Sequence, residues 1–418
     1  MQDKNPTKHT INTLPNGLTI ITERMNWCES AACVISIPAG SNNDPANREG
    51  LANLTCDMIL RGAGQYNSRE LTAAFENLGS ERGESVAHHH TSFSTVTLSA
   101  NLPKTLELFS QILLEPHFPK NQLGMGKQVV LQEIFSLEDE PARKMMMELA
   151  RNSFPHPWGL PGFGTPESVQ AISIEDVRRF HKRFYQPENT IVSVAGKFEP
   201  GQILETVTRL FGSWKPKKRH KIKGGPLGKP VIHIPYDSTQ THIGLTFPAV
   251  EFRHPDYLLA WSGVSVLSSG MSSRLFTEIR EKRGLCYSVD ASYYTYKDFG
   301  RVMCYCGTSV DRAQESLNVL LEELRRLSQG ITEKELELLK IRAKSSLVMQ
   351  QESTGSRAGS IARDWYHLGR IRTMQEIEAK INALTCETVN EYLAANPAGP
   401  FHLATLGQQP LEMETGVF

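Results

Sequence analysis

The sequence predicts an α+β protein made of two homologous halves, each a mostly antiparallel sheet flanked by helices. Two observations support this class. A basic segment rich in Gly and Pro divides the chain near its middle. On either side of it, predicted strands and amphipathic helices follow in the same order, as expected for layers of helix packed on sheet. The repeat is far longer than the 20 to 50 residues typical of solenoids, which indicates duplication of a whole domain.

The dividing segment is Trp214–Pro230, which has little apolar periodicity and a strong excess of Lys and Arg. A nucleic-acid patch is one interpretation, but this composition is typical of a solvated linker. We therefore predict a first domain at 1–213, a linker at 214–230 and a second domain at 231–418.

Both halves begin with a pair of apolar, β-branched segments. In the first half these are Gly17–Thr22 and Ala31–Ile37, and in the second Val231–Ile234 and Thr241–Phe247. Such segments predict buried strands. Further along, a strand gives way to an amphipathic helix in both halves at a constant offset. Residues that correspond there include Leu102 with Val310 and Phe109 with Leu317.

The segment Gly50–Met58 predicts a helix with one buried face. Leu51, Leu54 and Met58 recur at helical spacing and form an apolar stripe. Asn53, Cys56 and Asp57 lie at i, i+3 and i+4, so they share a second face. That geometry could gather ligands around a metal, but an amide, a thiol and one carboxylate are a poor set for zinc. A polar face on a buried helix is the simpler interpretation.

Composition places the chain among ordinary globular proteins, with 39% hydrophobic and 22% charged residues. Lys and Arg number 45, as do Asp and Glu, so no charge excess suggests binding to nucleic acid. The seven Cys are scattered without a CxxC pair, which fits a reducing compartment. The segment Met1–Pro6 lacks an apolar signal core, and no stretch is apolar enough to cross a membrane. We expect a cytoplasmic protein that binds neither membrane nor nucleic acid.

The order and spacing of several motifs resemble the pitrilysin-type (M16) zinc metallopeptidases, short-chain branch. Gly50–Met58 corresponds to Gly-Leu-Ala-His-x-x-Glu-His-Met in that family. His156–Val169 and Ile174–Gly196 also match, the latter as a helix leading into a buried strand. The resemblance runs from about Asn16 to beyond Gly369. It implies a fold whose two halves form half of a clamshell chamber.

The resemblance also implies that the zinc site is degenerate. The two ligand His positions hold Asn53 and Asp57, and the position of the general base holds Cys56. The third ligand position falls on Glu133, which is retained but is also explained as a solvated helix residue. We expect no metal in this chain.

The run His88–His90 falls where the family has a strand that lines the active-site cleft. On a strand, His88 and His90 would point to one face and His89 to the other. Two His on one face could bind a metal, although histidines that simply line the cleft or the surface are the more ordinary explanation.

The second half matches the family's Arg–Tyr motif with Arg280 and Tyr287. Gly284 predicts the end of a helix that carries Arg280, and Tyr287 is expected to begin the next strand. In the family this pair reaches the zinc of the opposite half, holds substrate and polarises the scissile carbonyl. Without the resemblance, Arg280 would be interpreted as a surface helix residue and Tyr287 as a half-buried strand residue.

These features together predict the zinc-less subunit of a heterodimeric peptidase, inactive alone. It would bind peptide substrates and supply Arg280 and Tyr287 to a homologous partner subunit that holds the zinc. A presequence-specific role is not predicted, because only Leu267–Met271 stands where the processing peptidases carry a long Gly-rich loop. The alternatives are a non-catalytic structural or assembly subunit of the same fold and an active homodimer, which would need ligands that Asn53 and Asp57 do not provide.

Overall fold

The computed structural model describes residues 9–217 and 222–413. The segment Met1–Pro6, from which no signal sequence was predicted, and part of the predicted linker lie outside the described residues. Within the described part of the chain, no helix is both long and apolar enough to cross a membrane.

The described residues form thirteen strands. In chain order they are β1 (His9–Thr13), β2 (Thr19–Arg24), β3 (Ser30–Ile37), β4 (Gly62–Ala63), β5 (Tyr66–Asn67), β6 (Glu81–Val86), β7 (Thr91–Leu98), β8 (Ile191–Gly196), β9 (Val231–Pro235), β10 (Gln240–Ala249), β11 (Cys286–Thr295), β12 (Gly300–Ser309) and β13 (His402–Gly407). All four strands predicted at the starts of the two halves are present, as β2, β3, β9 and β10.

The helices lie between these strands, with a short π-helical segment at Phe276–Glu281. In chain order they are α1 (Leu51–Ile59), α2 (Ser68–Asn77), α3 (Leu102–Leu114), α4 (Leu123–Ser136), α5 (Pro141–Ser153), α6 (Pro166–Gln170), α7 (Ile174–Phe184), α8 (Pro200–Phe211), α9 (Tyr257–Ser268), α10 (Ala313–Arg326), α11 (Glu333–Glu352), α12 (Thr354–Leu368), α13 (Met374–Asn382) and α14 (Cys386–Ala395).

The two main sheets share one topology over five strands, and the first sheet has β1 as an additional edge strand. The first has the strand order β1-β2-β8-β3-β7-β6, and the second has β9-β13-β10-β12-β11 when it is followed from the corresponding end. In each, one parallel pair (β2 with β8, β9 with β13) accompanies otherwise antiparallel neighbours. This shared topology confirms the prediction of two α+β halves with mostly antiparallel sheets.

The chain forms two compact units that are interleaved in sequence. Residues 137–160 belong to the second unit and residues 349–372 to the first. In the first unit, α12 packs on β3 and β8, where the Ser193 hydroxyl donates to the carbonyl of Ala358 at 2.8 Å. In the second, α5 packs on β10 and β13, and a Cβ on Gly244 would lie 2.5 Å from the sulfur of Met145. The domain boundaries 1–213 and 231–418 therefore remain a prediction that describes the repeat in the sequence.

The cysteines contribute thiols to these cores and not crosslinks. All seven are free. Cys304 and Cys306 are fully buried on β12, within the core of the second unit, and their spacing of two residues puts them on one face of the strand. Burial strongly raises the pKa of the Cys304 thiol, so it behaves as a small apolar side chain.

Candidate functional site

Helix α1 presents the predicted buried stripe and the predicted polar face. Gly50 precedes it in the left-handed conformation (φ +91°), and Leu51, Leu54 and Met58 are buried. On the second face Asn53 is half-buried. The backbone geometry of a ligand-bearing helix is therefore present, and the chemistry of the side chains decides what it can hold.

Asp57 is occupied by a neighbouring arginine. Arg61 lies one turn further along the chain and binds the carboxylate with two hydrogen bonds, from Nε at 2.6 Å and from Nη2 at 3.0 Å. Both side chains are mostly shielded from solvent: Asp57 is 23% exposed and Arg61 is 15% exposed. A bidentate guanidinium uses both carboxylate oxygens and places a positive charge where a cation would bind. Asp57 is consequently unsuited to be a metal ligand.

Cys56 is a protonated thiol. Burial raises its pKa well above the ordinary range, and the charges of Glu84 and Asp57 add to the effect. Zinc binds the thiolate form of Cys, which this environment disfavours. Among the described residues, no group of three or more His, Cys, Asp or Glu side chains is placed to hold a metal ion. The residues at the degenerate positions therefore do not fit zinc.

Glu133 lies on α4, which packs against α1. Gly126 of α4 approaches so closely that a Cβ there would lie 2.7 Å from Oδ2 of Asp57 and 3.0 Å from the sulfur of Met58. Glu133 comes seven residues later, on the same face of the helix by spacing, and is exposed. The packing of the two helices is compatible with the predicted alignment of Glu133 with the ligand positions.

Restoring the motif with Asn53→His, Cys56→Glu and Asp57→His is expected to give weak zinc binding while Arg61 remains. Adding Arg61→Gln should tighten that binding at least ~10-fold, because it removes a positive charge within a few ångströms of the ion. Competitive titration against a zinc indicator measures both affinities, with Arg61→Gln alone as the control. Zinc affinity at background level in both restored variants would show that Glu133 is not aligned with α1.

The run His88–His90 does not lie on a strand, which corrects the sequence-based interpretation. Strand β6 ends at Val86 and β7 begins at Thr91, so the three His form the turn between them and strand alternation does not apply. His88 Nδ1 lies 3.5 Å from the Ser41 hydroxyl, and burial lowers the pKa of His88 to about 4. His90 packs edge-on against Tyr366 with ring centroids 4.4 Å apart. These are packed turn residues.

In the second unit, Arg280 lies in the π-helical segment Phe276–Glu281. Gly284 ends this helix in the left-handed conformation (φ +60°), and its N–H donates to the carbonyl of Arg280 at 3.1 Å, as the sequence predicted. The extra residue of a π-helical turn changes the direction of the side chains, and such turns occur frequently at functional sites.

Tyr287 lies at a second backbone irregularity. Cys286 pairs with Thr308 and Ser288 with Gly307, so Tyr287 is an additional residue that makes a β-bulge near the start of β11. Bulges re-aim side chains beside active sites. Here the phenol ring projects outward, and 81% of Tyr287 is exposed. The start of the strand agrees with the sequence prediction, whereas the expected half-burial of an ordinary strand tyrosine does not.

The two irregularities bring Arg280 and Tyr287 together. The guanidinium carbon of Arg280 lies 5.0 Å from the centre of the Tyr287 ring and 4.8 Å from that of Phe276, so the cation contacts two aromatic rings. Within the described part of the chain, Arg280 forms no ion pair, because the neighbouring Glu278 is bound by Lys282 and Arg283. Its N–H groups are thus oriented by stacking and available to an external acceptor.

Sequence reasoning missed the two residues that fix these arrangements, Arg61 and Phe276. Both could have been identified from the sequence by their spacing. Arg61 follows Asp57 by four residues and Phe276 precedes Arg280 by four, which is the spacing at which helical side chains meet.

Comparison with known sequences shows where this chain belongs. Residues 19–161 match the family described as Insulinase (Peptidase family M16), and residues 171–342 match the Peptidase M16 inactive domain. The uncharacterized zinc protease YmxG of Bacillus subtilis is 29% identical over 385 residues, covering 90% of this chain and 93% of that protein. An uncharacterized zinc protease of Mycobacterium leprae is 29% identical over 413 residues, covering 93% and 91%.

Solved structures with this fold span almost the whole chain. A peptidase M16 inactive domain from Pseudomonas fluorescens has a TM-score of 0.89 at 22% identity, covering 97% of this chain and 100% of that one. A protease from Helicobacter pylori has a TM-score of 0.85 at 21% identity, covering 96% and 99%. A chain of Complex III2 from Candida albicans has a TM-score of 0.80 at 18% identity, covering 96% of each. At these identities the likeness shows the fold alone; together with the sequence matches, it establishes that this chain belongs to peptidase family M16.

Proposed function

We propose that this chain is the zinc-less subunit of a heterodimeric metallopeptidase, in which it binds peptide and supplies Arg280 and Tyr287 to the zinc site of a homologous partner. The observation that carries the proposal is a contrast within the chain. The ligand positions of α1 hold an arginine-bound carboxylate and a buried thiol, whereas Arg280 and Tyr287 are stacked together with donors unused by the described residues.

The chemistry of the pair suits acyl transfer. As a peptide carbonyl is attacked, negative charge develops on its oxygen, and preorganised donors that meet this charge lower the barrier. A guanidinium offers several N–H donors in a fixed plane, and a phenol offers one O–H. Zinc in the partner would supply Lewis acidity and an activated water, while this chain would hold the substrate and donate to the oxyanion.

The two alternatives predict different surfaces. A purely structural subunit does not require Arg280 to stack, without an ion pair to any described residue, on Tyr287, which is 81% exposed. An active homodimer would need metal ligands on α1, where Arg61 already occupies Asp57. The heterodimer is the assignment in which both observations have a role.

Co-expression with a homologue that has an intact His-x-x-Glu-His motif is expected to give a 1:1 complex that holds one zinc ion and hydrolyses peptides. The chain alone should bind no stoichiometric zinc and cleave nothing, because its α1 offers no suitable ligands. Size-exclusion chromatography with light scattering, metal analysis after chelator-free purification and a peptide-hydrolysis assay give the three readings.

The Arg61→Gln variant serves as the matched control, since it alters the degenerate site and should leave pairing and activity unchanged. A chain that stays monomeric beside its zinc-bearing homologue contradicts the proposal. So does one tightly held zinc ion per isolated chain.

A further inference from the structure

A cavity of about 240 Å³ lies within the second compact unit, lined by residues of α9 and α11 and of the loop that follows α9. One wall is apolar and includes Trp261, Leu338 and Ala343. The polar part of the lining consists of several serines, Glu335 and Arg342. A largely apolar concavity with a few convergent polar groups is the usual form of a small-ligand site.

Arg342 carries a charge that no described carboxylate balances. Its Nη2 donates to the hydroxyl of Ser272 at 3.2 Å. The other charged residue of the lining, Glu335, is bound by Arg274 through two hydrogen bonds at 2.7 and 2.9 Å, so it is not available to Arg342.

Gly270 allows the guanidinium of Arg342 to lie against the loop backbone. Its φ is +89°, which favours glycine. A Cβ at this position would lie 2.8 Å from both Nη1 and Nη2 of Arg342. The loop is therefore shaped around an arginine at this wall of the cavity, and a larger residue would displace it.

Two serine hydroxyls provide an independent indication of a ligand. Ser265 and Ser273 line the cavity, and the two residues are only 9% and 6% exposed. Neither hydroxyl forms a side-chain hydrogen bond with any residue in the described ranges. Both hydroxyls can therefore donate to, or accept from, a molecule that occupies the cavity.

We propose that this cavity binds a carboxylate group, and specifically the carboxylate end of a peptide. The planar fork of Arg342 matches the two oxygens of a carboxylate, the hydroxyls of Ser265 and Ser273 can donate to them, and the wall formed by Trp261 can contact the side chain of one terminal residue. The choice of a peptide rests on the function proposed above, whereas the carboxylate chemistry follows from the cavity itself.

The position of the cavity agrees with that function. Ser273 lies seven residues before Arg280, immediately ahead of the helical residues that carry it, and seven residues correspond to roughly 10 Å along a helix axis. An extended peptide covers that distance in about three residues. A peptide anchored by its carboxylate at Arg342 would therefore extend about three residues before it came level with the Arg–Tyr pair.

Calorimetric titration of the full chain with a short N-acetylated tripeptide tests the proposal. The free acid is expected to bind, and the same peptide with a C-terminal amide to bind at least ~10-fold more weakly, because hydrogen bonds to a charged group contribute more than neutral ones. Arg342→Gln should reduce the affinity for the acid roughly 10- to 100-fold, and Ser265→Ala should reduce it less. Lys344→Gln, two residues along α11 and outside the cavity lining, is the charge-matched control and should bind like the native chain.

Thermal unfolding of each variant verifies that it is folded. An amidated peptide that carries a Glu side chain and binds as tightly as the free acid would show that the cavity takes a side-chain carboxylate, and would overturn the assignment to the carboxylate end of a peptide. Equal binding of acid and amide, unchanged binding in Arg342→Gln, or tighter binding of inorganic phosphate would overturn the proposal. Intact carboxylate binding beside an inactive heterodimer would count against the proposed peptidase role alone.

Discussion

Replacing Tyr287 by Phe in the assembled heterodimer is expected to lower kcat roughly 10²- to 10³-fold, or about 3–4 kcal/mol of transition-state stabilisation. The change deletes one hydroxyl and keeps the ring that stacks on Arg280. Because 81% of Tyr287 is exposed, little packing is lost and folding should be unaffected. Steady-state peptide hydrolysis by the purified complex measures the effect.

Arg280→Ala should act on both kinetic constants. It removes the cation that contacts Phe276 and Tyr287 and with it the proposed substrate contacts of the guanidinium, so KM should rise as kcat falls. Arg280→Lys keeps the charge but loses the planar fork, and should recover only part of the activity.

The matched control is Tyr294→Phe, which removes a hydroxyl from a partly exposed tyrosine on the same strand, β11. Its activity should equal that of the native complex. Near-native kcat/KM in the Tyr287→Phe complex would reduce this chain to a passive wall of the peptide chamber. Complex formation is checked for every variant, so that a loss of pairing is not mistaken for a loss of chemistry.

Local sequence signals were sufficient to predict the structure wherever residues close along the chain determine it. The stripe of Leu51, Leu54 and Met58 is buried as its spacing predicts, and Gly284 ends the helix of Arg280 in the conformation that glycine favours. The run His88–His90 shows that alignment with a family position does not by itself predict the local secondary structure. The family has a strand there, but this chain forms a tight turn between β6 and β7.

Long-range packing could not be predicted from local pattern. Nothing in the periodicity of α5 or α12 indicates which sheet each helix covers. The relevant signal lies in distant small residues, which permit close approach: Gly244 beneath Met145, and Ala32 and Ala195 beside Ala358. The unpaired charge of Arg342 is equally invisible in sequence, because it depends on Glu335 being bound by Arg274.

One of these long-range contacts is a buried ion pair that joins α12 to the first sheet. Arg357 donates to the carboxylate of Glu23 on β2 at 2.9 and 2.6 Å, and each side chain is 3% exposed. His9 on β1 lies 2.9 Å from the same carboxylate. Burial would raise the pKa of Glu23, but the hydrogen bonds from His9 and Arg357 and their charges outweigh it and hold the pKa below its ordinary value.

A carboxylate whose pKa is lower in the folded than in the unfolded state stabilises the fold at pH values above its unfolded pKa. For Glu23 the unfolded value is near 4.5. The contribution of the pair should therefore be complete at neutral pH, begin to fall below about pH 4.5 and disappear as the pH passes through the lower, folded value.

Arg357→Met is accordingly expected to destabilise the attachment of α12 by about 3–5 kcal/mol, because it leaves the buried Glu23 charge without its main partner. Hydrogen exchange should show roughly 10²- to 10⁴-fold less protection of the α12 amides at neutral pH, and a smaller difference from the native chain below the folded pKa of Glu23. Arg24→Met is the matched control: its pair with Glu199 is exposed and should contribute less than ~1 kcal/mol.

The double variant Glu23→Met with Arg357→Met should recover much of the protection, since it removes both charges. If the single Arg357 variant instead keeps native protection, the pair does not hold α12, and the apolar contacts of Ala358 and Ile361 must attach this helix unaided.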